Sequence, residues 1–330
     1  MSNNRLVDIH AHILPPHYLD AMASRGVNDV DGFPLPSWSV ENAVAAMDAN
    51  GIGTAVLSVS SPGTIFTDGE HAAAVARKIN LTFAEMFVSH PGRFGAFALL
   101  PWNEADKAVV ELRYALDTLG LDGVGLYTNV RGRYLGDPYF DPVFAELDQR
   151  GATVFVHPVR PPNFDAVSLE LAAPVIEFPF DTTRSICNLI GSGALRRYPN
   201  IKFIFLHGGG VLPFLALRVS SLLPIFRKLT PELTADEIME QIRSLYFDLA
   251  NASHPFALDA VTRLMPKDHL LYGSDFPFLP AATIAVAKRS LEEHGCFSPE
   301  ELQGVYHANA MRLLPSLAAR SAAPSKGKSS

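Results

Sequence analysis

The sequence has few of the features that mark specialised protein classes. Its two cysteines, Cys187 and Cys296, are far apart and form no CxxC pair. Neither a disulfide framework nor a thiolate metal site is expected, and a reducing cytoplasm fits best. No run of five or more basic residues occurs, and 27 Lys+Arg stand against 34 Asp+Glu, for a net charge of −7. Nucleic-acid binding therefore lacks its usual electrostatic footprint. Long uninterrupted apolar runs are missing as well. The most apolar stretch, 211–226, is broken by Pro213, Arg218 and Pro224. It reads as a buried helix beside a site and not as a membrane span. The opening residues, Met1-Ser-Asn-Asn-Arg5, have no apolar core of a secretory leader. No GxGxxG follows the first strand-like run, which removes the main signature of a dinucleotide-binding sheet.

What is present is an alternation. The 330 residues are 48% hydrophobic and 18% charged, enough for one large α/β domain. Eight short apolar runs read as strands, at 6–11, 54–59, 94–100, 123–127, 153–157, 202–207, 245–249 and 269–274. Most are continuous and not alternating, as expected of parallel strands buried on both faces. Helical spacing fills the gaps, at 40–50, 70–89, 105–119, 141–149, 180–195 and 255–264. Ser39 and Pro142 are placed as start signals, and Gly51, Gly120 and Gly151 follow helix ends. Eight β-then-α units predict a TIM (β/α)8 barrel with N- and C-terminal additions, ahead of an open doubly wound sheet. The barrel is expected over residues 1–315. Residues 161–174 read as a loop crossing its mouth, and 281–294 and 299–314 as closing helices. The Ala/Ser/Lys/Gly-rich stretch 316–330 reads as a disordered tail.

Polar residues gather at the expected strand ends. His10 and His12, in Val7-Asp8-Ile9-His10-Ala11-His12, are spaced i and i+2 and so point to one face of a strand, with Asp8 one step back. His157 ends the fifth run, His207 the sixth, and Asp275 the eighth. Each has an ordinary alternative: strand packing for the pair, a loop position for His157 before Pro158, a flexible turn for His207 before three glycines, a helix cap for Asp275. Together, at strand ends that converge on one barrel mouth, they point to a metal site of His10, His12, His157 and Asp275. Three imidazoles and a carboxylate suit Zn²⁺ or another borderline divalent ion, with Mn²⁺ also accommodated. His207 is then placed to carry a proton beside the metal.

Five pieces together resemble the amidohydrolase superfamily, in the branch of aminocarboxymuconate-semialdehyde, γ-resorcylate and 6-methylsalicylate decarboxylases. They are Asp8-Ile-His10-Ala-His12, Phe155-Val-His157-Pro158, His207-Gly-Gly-Gly210, Gly273-Ser-Asp275-Phe-Pro277 and Asn309-Ala310-Met-Arg-Leu-Leu. The resemblance spans about residues 6–314 and implies a mononuclear site with the ligands named above. The fourth run ends Leu126-Tyr127-Thr128-Asn129, without the lysine that binuclear members carry. Arg218 matches an arginine that in such decarboxylases helps bind a substrate carboxylate, in some across a dimer interface. No second arginine precedes Met47-Asp48, which speaks against a dicarboxylate. Phe180, Phe276 and Phe278 could stack on an aromatic ring.

The resemblance implies a metal-dependent carboxy-lyase acting on a small aromatic 2-hydroxy acid, 6-methylsalicylate to m-cresol or a close analogue. Asp275 is the candidate proton donor to the ring carbon, with His207 as alternative or partner. The same residues would serve a hydrolase that opens a lactone, ester or amide. A non-catalytic binding protein on a barrel scaffold would leave the convergent histidines unexplained. The resemblance also implies a homodimer.

Overall fold

The structure is a computed structural model that describes residues 6–228 and 232–322. Its centre is eight parallel strands in chain order: β1 Leu6–His12, β2 Ile52–Ser58, β3 Phe94–Ala98, β4 Gly123–Tyr127, β5 Thr153–His157, β6 Lys202–Phe205, β7 Tyr246–Asp248 and β8 Leu270–Leu271. The ring closes beyond β8. The Ile9 amide donates to the Tyr272 carbonyl at 3.0 Å, the Asp275 amide to His10 at 2.8 Å, and the His12 amide to Phe276 at 2.8 Å. A parallel bridge joins Ala11 to Phe276. This is a TIM barrel, with helices between successive strands.

The eight runs expected as strands are all present: β4 and β5 match their expected spans, β1 and β2 reach beyond theirs at one end, and the other four are shorter. β6 stops at Phe205 and β8 at Leu271, ahead of the polar residues expected to end them. The reason is backbone conformation. His207 (φ 56°) and Asp275 (φ 60°) are left-handed, which a strand does not tolerate. Helices Val40–Asn50 and Pro255–Leu264 match their expected spans. The first is capped by the Ser39 hydroxyl, which accepts from the Asn42 amide at 3.1 Å, and by left-handed Gly51.

Four expectations need correction. The helix expected at 180–195 begins at Ala173, because Pro174 starts a helix well and Pro179 inside it is tolerated. The mouth loop is shortened accordingly and contains a 3₁₀ turn, Phe164–Ala166. The helix Leu212–Phe226 is not buried: Leu212, Ala216 and Ser220 face the barrel, while Phe214, Leu217 and Phe226 are at least three-quarters exposed. An all-round apolar sequence meets neighbours on one stripe only. The stretch 316–330 is not wholly a tail, since Pro315–Ala322 is helical; residues 323–330 lie outside the described residues. Leu317 is buried and Arg320 contacts Asp122 at 2.6 Å. Helices Pro16–Ala23 and Ala235–Ser244, and hairpins Asp29–Val30/Phe33–Pro34 and Asn129–Val130/Arg133–Tyr134, are further additions.

Inside the barrel, Val7, Ile9, Val56, Phe97, Phe155, Ile204 and Leu271 form one buried cluster with Leu313, Leu314 and Leu317. The C-terminal segment thus plugs the end opposite the polar residues. Among the described residues no helix is long and apolar enough to cross a membrane.

Candidate metal centre

The polar residues expected at the strand ends meet in space. His10 Nε2 and His12 Nε2 are 3.0 Å apart, and each is 3.3 Å from Asp275 Oδ1. His157 joins the two histidines, with ligand atoms all within 4.8 Å of one another; so does a second grouping of His10, His207 and Asp275. His10, His12 and His157 are fully or nearly fully buried.

Each ring is oriented by its other nitrogen. His10 Nδ1 donates to Asp248 Oδ2 at 2.7 Å, His157 Nδ1 to the Pro158 carbonyl at 2.6 Å, and His12 Nδ1 lies 2.9 Å from the Ser58 hydroxyl. With Nδ1 committed, Nε2 of each ring is the free lone pair. Two such lone pairs 3.0 Å apart repel unless a cation lies between them. Donor atoms about 2.0–2.1 Å from one tetrahedral ion stand about 3.3–3.4 Å apart, close to the 3.0–3.3 Å observed. The residues present therefore fit a divalent cation.

The electrostatics agree. Burial opposes charge on His10, but the carboxylates of Asp248 and Asp275 outweigh it and lift its pKa to about 10. Burial drives His12 down to about 4 and His157 well below the usual imidazole range, helped by the neighbouring histidines. Asp275 resists the upward push of burial and is held well below the usual carboxylate range, chiefly by the charge of the neighbouring His10 imidazole.

His207 stands beside this group. Its Nε2 is buried, makes no hydrogen bond and lies 3.6 Å from Asp275 Oδ2. The glycines after it are sterically required. A Cβ on Gly210 would come within 2.1 Å of the Pro179 carbonyl oxygen, and one on Gly209 within 2.5 Å of the Phe247 ring. The backbone amide of His207 donates to Asp248 Oδ1 at 2.9 Å, so one carboxylate orients His10 and anchors His207.

Asp248, Asn251 and Ser58 are absent from the residues singled out by sequence. Asn251 donates to Asp275 Oδ2 at 2.8 Å, and the Ser60 hydroxyl lies 3.2 Å from His157 Nε2. Asp248 carried a legible signal, since it ends β7 as His157 ends β5. Asp8 does not join the metal group. The pairing of β1 with β2 slips between Asp8 and Ala11, and the Asp8 carboxylate accepts from the amides of His10 and Ser274, both at 3.0 Å. Burial raises its pKa to about 6.

The group lies at the floor of a cavity of about 780 Å³. His157, His207, Asp275, Ser60 and Asn251 supply polar atoms, and Phe178, Phe180 and Phe278 line its walls. The Phe278 ring is 5.4 Å from that of His12, and the Phe178 ring 5.8 Å from that of His157. Phe276 packs against the core and does not line the cavity. Arg218 is not brought to the site: it is exposed on helix Leu212–Phe226 and absent from the cavity lining. His254 lines the cavity and caps helix Pro255–Leu264.

Comparison with known proteins places this geometry in a family. The chain is 39% identical to decarboxylase yanB of Aspergillus niger over 94% of its length and 87% of that protein. It is 36% identical to a 6-methylsalicylic acid decarboxylase of Penicillium expansum, covering 94% of this chain and 96% of that one. Among solved structures, a dihydroxybenzoic acid decarboxylase from Polaromonas sp., crystallised with manganese and 2-nitroresorcinol, superposes with a TM-score of 0.79 at 23% identity, covering 94% and 96% of the two chains. The amidohydrolase family model matches residues 7–316. The chain belongs to the amidohydrolase family.

Proposed function

We propose that this protein is a metal-dependent decarboxylase of an aromatic 2-hydroxy acid, with 6-methylsalicylate, converted to m-cresol, as the leading substrate. The observation that carries the reading is the group of His10, His12, His157 and Asp275 at the floor of an apolar cavity, with the unpartnered Nε2 of His207 beside it. The names of the relatives support the reaction class. Hydrolysis of a lactone, ester or amide would use the same residues, but no relative compared above carries such a name.

His10, His12, His157 and Asp275 would hold one divalent ion. Bound there, it supplies Lewis acidity toward the carboxylate and phenolic oxygens of the acid. Manganese in the dihydroxybenzoic acid decarboxylase supports Mn²⁺ beside the Zn²⁺ expected from the ligand types. The walls bury the ring and exclude water. As the bond to the carboxyl carbon breaks, its electron pair stays on the ring carbon, which takes up a proton. Asp275 is poorly suited to supply it, because Oδ1 faces two imidazoles and Oδ2 accepts from Asn251. His207 Nε2 is free, buried and within the cavity, 3.6 Å from Asp275 Oδ2, which favours His207 as the proton carrier, with Asp248 anchoring its backbone. Phe180, on the cavity wall, contributes to ring binding, and Arg218, exposed on helix Leu212–Phe226 and away from this chain's own cavity, would serve a carboxylate only in the site of a neighbouring subunit. By family resemblance the protein would work as a homodimer, and its two unpaired cysteines fit a reducing cytoplasm.

The test is product analysis. Purified metal-loaded protein incubated with 6-methylsalicylate should release carbon dioxide and m-cresol in equal amounts. Absence of both, with turnover of a lactone panel, would establish the hydrolase instead.

A further inference from the structure

The cavity above the metal centre is larger and more uniform than a small hydroxylated benzoate requires. Its volume of about 780 Å³ falls in the upper part of the range of about 300–1,000 Å³ that holds drug-sized ligands. Apart from the exposed His254 beside Phe256, its polar atoms are concentrated at the floor. From there the lining runs outward past Phe178 and Val211 to Val175, Phe214 and Phe256, the last two more than four-fifths exposed. No lysine or arginine occurs among the described lining residues. The one lining carboxylate, Asp275, already faces three imidazoles.

We infer that the site also takes monoanionic aromatic acids that carry an extended apolar substituent on the ring edge opposite the carboxylate and hydroxyl, and binds them more tightly than 6-methylsalicylate. This deepens the decarboxylase reading and rests on it. The carboxylate and hydroxyl belong at the floor, where the imidazoles and the metal ligands are. The opposite edge of the ring then faces the mouth, along the apolar wall. A second carboxylate on that edge would lie against the apolar wall with no lysine or arginine to pair it, and would forgo the burial that an alkyl group gains there. An alkyl chain there gains burial against Val175, Phe214 and Phe256. A buried methylene is worth about 0.8 kcal/mol, or about fourfold in affinity. Because the chain is held equally in the ground and transition states, it lowers KM and leaves kcat alone.

The experiment uses metal-loaded full-length protein and two series of salicylates, bearing methyl, propyl or pentyl at ring position 4 or 5. In at least one series KM and the calorimetric Kd should fall about two- to fourfold per methylene, with kcat changed less than about threefold. The analogue with a carboxylate in place of the alkyl group should lose about 100-fold or more in kcat/KM. Phe256→Ala should flatten the dependence on chain length, read as the ratio of Kd for pentyl to methyl acid. Acids in both series binding no better as they lengthen would overturn the inference, even where 6-methylsalicylate is turned over. So would efficient turnover of the dicarboxylate. If Phe256→Ala changes the sedimentation behaviour and leaves the chain-length dependence intact, the apolar rim is covered by a second copy and the inference fails. Tight binding of the longer acids with no carbon dioxide released would uphold the pocket assignment and refute decarboxylation.

Discussion

The two ends of the barrel are built on opposite principles. At the end where β1, β5 and β7 terminate, buried polar groups are crowded together: three imidazoles, Asp248 and Asp275, with the partly buried His207 beside them and both His207 and Asp275 in left-handed backbone conformations. At the other end, Leu313, Leu314 and Leu317 fill the ring against Val7, Ile9, Phe97 and Phe155, and one ion pair, Arg320 with Asp122, ties the closing helix down. Apolar packing stabilises without restricting chemistry. The polar end carries like groups at close range and backbone strain of roughly 1–3 kcal/mol per residue. The barrel therefore tolerates its site because its other end supplies the packing.

Substitutions at the two ends should separate these roles. The largest effect belongs to His10→Ala combined with His12→Ala. Bound metal, by elemental analysis, should drop from about one per chain to near none, and turnover should vanish; a fully active double variant would mean that β1 is only structural. Chelation of the wild type should abolish activity similarly, with recovery on adding Zn²⁺ or Mn²⁺. Next, His207→Ala should keep its metal and lose about 10²–10⁴-fold in kcat, the usual contribution of a positioned acid or base. Metal loss in that variant would reassign His207 as a ligand. Asp248→Asn should weaken metal affinity about 10–100-fold by competition with a chelator. At the opposite end, Leu317→Ala should lower unfolding free energy by about 2–5 kcal/mol, while kcat/KM per folded molecule stays at the wild-type value. A loss of activity at constant stability there would break the separation of the two ends.

The barrel was largely legible because its strands are continuous apolar runs, a pattern that survives without knowledge of contacts. The convergence of His10, His12, His157 and Asp275 was legible for the same reason: strand ends of a barrel must meet. Less visible was what depends on side-chain direction. Asp8 shares the alternation of His10 and His12 in sequence, yet a slip in register turns its carboxylate to backbone amides. Asp248 was overlooked, although a carboxylate ending a strand is the signal that identified Asp275. The helix Ala235–Ser244 also announced itself, through the capping box of Thr234 and Glu237. The exposure of helix Leu212–Phe226 was not readable, because an apolar sequence does not say how many neighbours it will meet.

The closure of the ring between β1 and the segment 272–276 has a consequence for biosynthesis. The Ser274 amide reaches the Asp8 carboxylate across 266 positions of sequence. At about 5–20 residues per second, the ribosome needs roughly 13–53 s to deliver the second partner after the first. Throughout that interval His10 and His12 are already made, and Asp275, proposed to complete their ligand set, does not yet exist. Capture of a metal by the proposed full set would therefore wait until the chain has been made as far as Asp275.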